Sequence, residues 1–134
     1  MITCISPIDG SVYATRETLS TQAAREAAGR AKSAQSGWAA RPLDERIRLV
    51  MGGVKNVGDM NDEIVPELAH QMGRPIRYGG EFGGFNERAS YMAQIAHDAL
   101  ADIEIEDSDA FRRLIKRVPH GVVLVVAPWN YPYM

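Results

Sequence analysis

The sequence predicts an α/β chain made of a β-hairpin, a helical layer, an edge strand and one buried strand. Three observations lead there. Near the start, Pro7-Ile8-Asp9-Gly10 separates two short β-tolerant stretches, with Pro presetting one turn dihedral and Gly accepting a positive one. Between Thr21 and Leu100, apolar residues recur at three- and four-residue steps, the helical period. Val122 to Val126 is an unbroken aliphatic run, the pattern of a strand covered on both faces, as in a parallel sheet.

The hairpin strands are expected around Ile2 and Cys4 and around Val12 and Ala14. They carry too little apolar surface to stand alone and must lie on another element. A first helix follows from about Thr21, with Ser20 or Thr21 as N-cap and Gly37 as its stop. Its Ala23, Ala27, Ala31 and Ala34 form a narrow stripe suited to close packing. A second helix starts at Pro42, with Asp44 and Glu45 complementing its positive end and Ile47, Val50, Val54 and Val57 at helical spacing. Gly52 and Gly53 lie inside that periodic pattern. This argues against a phosphate loop, which sits between a strand and a helix.

Asn61 and Asp62 are candidate caps for a third helix reaching Met72 and stopped by Gly73. Pro66 moves the expected start to near Val65 or kinks its first turn. Phe82, Phe85, Ala89, Met92, Ala96 and Ala99 give a fourth, strongly amphipathic helix. "ADIEIEDSDA" is expected to be an acidic connector in solvent, and Phe111 to Val118 a basic, half-exposed edge strand. Residues 1–118 thus read as hairpin, helical layer and edge strand, and 119–134 as the start of a separate region. None of the preceding strands is joined to Val122–Val126 by a crossover. Its sheet partners are therefore expected from sequence beyond Met134 or from another molecule.

Composition narrows the function classes. An apolar fraction of 46% and a charged fraction of 24% suit a globular chain. Fifteen basic against seventeen acidic residues, a net charge of -2, give no electrostatic footprint for a nucleic acid or a membrane surface. The first residues lack the basic and apolar regions of a secretory signal, and no apolar run approaches the roughly 20 residues of a membrane span. A cytoplasmic location is the expectation. Cys4 is the single cysteine, so neither an internal disulfide nor a Cys-rich zinc site is available. It reads as a small hydrophobe in a strand, because no adjacent base or helix N-terminus is in view to activate it. His70 and His97 lie on predicted helices without a second ligand at metal-binding spacing, and no metal site is expected.

In open α/β sheets, ligands bind beyond the carboxyl ends of the strands. Ala127-Pro128-Trp129-Asn130-Tyr131-Pro132 falls at such a place. Asn is a fitting residue there: its amide N–H does not titrate near neutral pH and can face a developing oxyanion without a proton-transfer cost. Turn stabilisation is the plainer role for it. Tyr131 and Tyr133 read as packing residues, since an unperturbed phenol titrates near pH 10.

"VPHGVVLVVAPWNYP" resembles the strand-and-loop motif of the aldehyde dehydrogenase superfamily, and the resemblance extends over essentially the whole chain. "SPIDGSVYA" is similar to that family's opening hairpin, with Ser6 where Asn is usual. "HQMGRP" stands where Glu-Thr-Gly-Lys-Pro is common. The resemblance implies an N-terminal portion of an enzyme that oxidises a small-molecule aldehyde to a carboxylic acid with NAD or NADP. Val122–Val126 would then be the first buried strand of its dinucleotide-binding sheet. It further implies that Asn130 donates to the oxyanion formed when a Cys thiolate attacks the aldehyde. Val126, Ala127, Pro128 and Trp129 would line the nicotinamide site, and the full protein would be a dimer or tetramer. The nucleophilic Cys and general-base Glu follow this motif in the family, so residues 1–134 alone should be inactive. The rivals are an enzyme that passes its thioester to coenzyme A, and a non-catalytic helical module that recruits a partner through the strand Phe111–Val118.

Overall fold

A computed structural model describes residues 1–134. Strands β1 (Ile2–Ile5) and β2 (Val12–Arg16) pair antiparallel. Four helices follow: α1 (Thr21–Ala39), α2 (Leu43–Asp59), α3 (Asn61–Met72) and α4 (Phe82–Leu100), with a 3-10 turn at Ile76–Tyr78 between the last two. A second antiparallel pair, β3 (Ile103–Asp107) and β4 (Arg112–Ile115), completes the elements. No helix is long and apolar enough to cross a membrane.

The first hairpin closes through Ser6 N–H to Ser11 C=O at 2.8 Å, and Gly10 takes a φ of 75° at its tip. Pairing runs Cys4 with Ala14 and then Ile5 with Val12, so Tyr13 is the extra residue of a bulge. A bulge re-aims a side chain. The Tyr13 ring stacks on His70 of α3, centroids 4.9 Å apart, and Pro7 packs against Gly73 at the end of the same helix. The hairpin therefore rests on α3, which supplies the support its own strands lack.

Ser20 caps α1, its Oγ accepting from the Ala23 N–H at 3.1 Å. The helix runs through Gly37 to Ala39. One glycine costs only up to about 1 kcal/mol, whereas Pro42 forces the residue before it out of the helical region. Of the alanine stripe only Ala23 and Ala27 are half-buried, and α1 contains no buried residue.

α2 packs most extensively on α4 and also contacts α3. Gly58 lies where an added Cβ would come within 2.5 Å of the Phe82 ring, so its lack of a side chain lets the two helices meet. Met92 and Ala99 on α4 are exposed, contrary to the expected buried stripe; Met92 lines an open apolar groove between α2 and α4. α3 begins at Asn61 and passes uninterrupted through Pro66. An interior proline costs about 3 kcal/mol. Burial of Ile64 and Leu68, about 1.5–3 kcal/mol each, is large enough to offset that. Together with Val54 of α2 and Ala69, these residues are the apolar core.

The acidic segment lies largely in solvent, as expected, but it forms a strand and not an irregular connector. Its Ile-Glu-Ile-Glu alternation pairs with β4, and Glu104 meets Arg112 at 2.9 Å and Glu106 meets Arg113 at 3.3 Å. Opposite charges across a two-stranded ladder favour pairing. The expected edge strand is present but shorter, Arg112–Ile115.

Val122–Val126 forms no strand and is exposed, from 50% at Val122 to 86% at Leu124. Both hairpins are closed two-stranded sheets that leave this segment without a partner. Burial on both faces requires neighbouring strands and covering helices, and residues 1–134 place neither on it.

Candidate functional site

The loop after the valine run is held in place from below. Gly73 ends α3 in the left-handed region, with φ 77°, and its N–H bonds Ala69 C=O at 2.9 Å. Pro75 then bars continuation of the helix, since proline disfavours the helical region for the residue before it. After the 3-10 turn, the chain passes Gly79, with φ 66°, and Gly80, where a Cβ would stand 2.7 Å from Asn61 Oδ1. That close approach to the start of α3 brings Glu81, at the N-terminus of α4, back beside Arg74.

Glu81 Oε1 lies 2.8 Å from Arg74 Nη1, an ion-pair contact without an aligned hydrogen bond. Side-chain exposure is 1% for Glu81 and 14% for Arg74. Removing one partner of a pair this dry typically costs about 3–5 kcal/mol. Both members also reach the loop. Arg74 Nη2 donates to the Asn130 carbonyl at 3.0 Å, and its guanidinium lies over the Tyr131 ring, 5.1 Å from the centroid. Glu81 Oε2 accepts from the Tyr133 N–H at 2.7 Å. The Tyr133 phenol is pushed above its ordinary value, first by burial and then by the Glu67 and Glu81 carboxylates and Tyr13. It stays protonated at neutral pH, as suits a packing residue.

Asn130 is thus fixed through its backbone while the residue itself is exposed. Ala127, Pro128 and Trp129 gather on the other side of the loop. With Cys4 of β1 and Leu68 and Met72 of α3, they border a shallow cleft of about 300 Å³. Val126 is 83% exposed and stands outside that lining, and Trp129 is 80% exposed.

The sequence pattern described as the aldehyde dehydrogenase family matches residues 1–134. The chain belongs to the aldehyde dehydrogenase family. It is 29% identical over 137 residues to a vanillin dehydrogenase of Corynebacterium glutamicum, covering 97% of this chain and 27% of that protein. Among solved structures it is similar to a succinic semialdehyde dehydrogenase from Streptococcus pyogenes, determined in complex with NADP+. The TM-score is 0.84 at 24% identity, with coverage of 98% of this chain and 29% of that one. At that identity the likeness carries the fold. The chain spans less than a third of the length of either relative.

In an aldehyde dehydrogenase the loop cleft has to be judged against a nicotinamide dinucleotide. Its lining is apolar apart from Gln71 and Cys4, and no basic side chain joins it. Those residues fit one wall beside a flat ring. They offer nothing to a pyrophosphate, which needs backbone N–H groups or cations. Sequence reasoning singled out Asn130 and its neighbours but missed Arg74 and Glu81. The available signal was the glycine and proline punctuation around them, "GRP" and "YGGE", which marks a backbone held in a special path.

Proposed function

We propose that residues 1–134 are the N-terminal part of an NAD(P)-dependent aldehyde dehydrogenase that oxidises a small-molecule aldehyde to the acid. Residues 1–118 supply the hairpin, helical layer and edge strand. Residues 119–134 begin the cofactor-binding and catalytic region, and the whole enzyme is a cytoplasmic dimer or tetramer. The family match over the full chain is the observation that carries this reading.

Asn130 is the oxyanion donor. Its side-chain N–H faces the oxygen that gains charge when a Cys thiolate, supplied from outside these residues, adds to the aldehyde carbon. The Arg74 hydrogen bond to its carbonyl supports this role, because a donor acts in proportion to how firmly it is placed before reaction. Ala127, Pro128 and Trp129 form an apolar wall of the nicotinamide site, and Val126, outside the cleft within residues 1–134, extends that wall in the complete protein. A bound NAD or NADP supplies the hydride acceptor; these residues orient its ring and exclude water from that side.

In the complete protein, Asn130→Ala is expected to lower turnover roughly a hundred- to a thousandfold, with cofactor affinity near normal. Steady-state kinetics and cofactor titration check this. Turnover within threefold of the parent removes the oxyanion assignment.

A further inference from the structure

We infer that Arg74 and Glu81 are positioning residues for the Asn130 loop, acting on turnover only through where they hold that asparagine. The inference rests on the proposed oxyanion role of Asn130.

Residues 130–133 have two anchoring hydrogen bonds to the helical layer, one from each end of a single buried ion pair. Arg74 holds the Asn130 carbonyl, and Glu81 holds the Tyr133 N–H. The two anchors bracket the tyrosine on which the Arg74 guanidinium rests. Three backbone and ring contacts therefore converge on a pair nearly sealed from solvent. Neither charged group approaches the Asn130 side chain in these contacts, which leaves that amide to its own task. An ion pair serving stability alone has no need to spend its remaining hydrogen-bonding capacity on one loop more than fifty residues away in sequence.

Placement at this level matters to rate. A displacement of about 1 Å in a catalytic group costs on the order of a hundredfold. Losing either anchor frees one end of the four-residue segment Asn130–Tyr133, enough for such a shift.

The test is a mutant cycle in the complete protein. Arg74→Gln and Glu81→Ala are expected to reduce kcat about tenfold to a hundredfold with KM for the aldehyde within about threefold. Arg74→Lys, which retains the charge and a donor but not the guanidinium fork or its flat contact with Tyr131, recovers part of the loss, and Glu81→Gln, which retains an acceptor for the Tyr133 N–H, recovers part of it. In an Asn130→Ala background, Arg74→Gln should cost no more than about threefold further, because two residues acting as one unit are not additive. Amide exchange at Tyr133 should accelerate in Glu81→Ala, a reading that does not depend on activity. Full additivity in the double variant, or unchanged exchange at Tyr133, overturns the positioning role while the Asn130 assignment stands. If Asn130→Ala is itself as fast as the parent, the oxyanion reading falls and this inference falls with it. Should Glu81→Ala fail to fold, Glu81→Met, which fills the site without offering an acceptor to the Tyr133 N–H, carries the exchange measurement with the same criterion.

Discussion

Asp9 is fully exposed, yet its carboxyl is held below the usual carboxylate range, first by the Ser11 backbone N–H at 3.0 Å and then by the Ser11 hydroxyl at 2.7 Å. These bonds form in the folded hairpin turn, so the folded value lies below the unfolded one of about 3.9. A lowered carboxylate contributes stability that is present above the unfolded value and lost as pH falls through the folded one. Asp9→Asn should therefore melt below the parent at pH 6, and the gap should close progressively below about pH 4. Parallel thermal unfolding of the two complete proteins from pH 6 to pH 2.5 measures it. A gap that stays constant to the lowest pH means the ionised carboxylate does not hold the turn. Ser6, whose hydroxyl accepts from the Ile8 N–H at 3.3 Å and which is fully buried, secures the same turn from inside.

At the scale of elements, one substitution should act with opposite signs within a single helix. Gly52 has open space around its missing Cβ, and replacing a mid-helix Gly by Ala contributes up to about 1 kcal/mol. Gly58 lies six residues on, and there the same methyl meets three atoms of the Phe82 ring between 2.5 and 3.1 Å. Overpacking of that kind costs about 1–3 kcal/mol and outweighs the propensity gain. Gly52→Ala should slow amide exchange along α2, and Gly58→Ala should accelerate it at the α2–α4 contact. Faster exchange in both, or slower in both, breaks the packing account. The four helices were readable because their spacing is local, and Gly73 was readable as a stop because its left-handed role is chemical. β3 was not, because its acidity outweighed the isoleucine alternation; the compensating arginines lie on a different strand. The Arg74–Glu81 anchor was hidden for a related reason. Its members meet across the connection between α3 and α4, and the loop they hold lies more than fifty residues further on, so no window of sequence contains them all.

The whole molecule exposes 10,542 Å², while size scaling gives roughly 7,000 Å² for a folded monomer of this mass. Only six residues are buried, and four of them are the apolar core shared by α2 and α3. Val122–Val126, the segment whose composition calls for burial on two faces, is exposed along its whole length. The buried-strand reading thus gets no support from contacts within residues 1–134. The family match and the anchored Asn130 loop carry the functional reading in its place. A surface this large, with a bare β-prone aliphatic run, has a direct consequence for the chain expressed by itself. Transiently unpaired strands of that composition associate edge to edge, and a core this small does not sustain an all-or-none transition. Residues 1–134 alone should show helical circular dichroism, a broad and weakly cooperative melt, dye binding to apolar surface, and association that grows with concentration. Replacing Val123 and Val125 by Lys should reduce the association without altering the helical signal, since both are exposed and neither belongs to the apolar core. No aldehyde oxidation with NAD or NADP should be detectable in either version. A sharp melt of a monomer would instead favour the non-catalytic module that recruits a partner, because such a module must be stable before it binds. Calorimetry and sedimentation on the same sample separate the two outcomes.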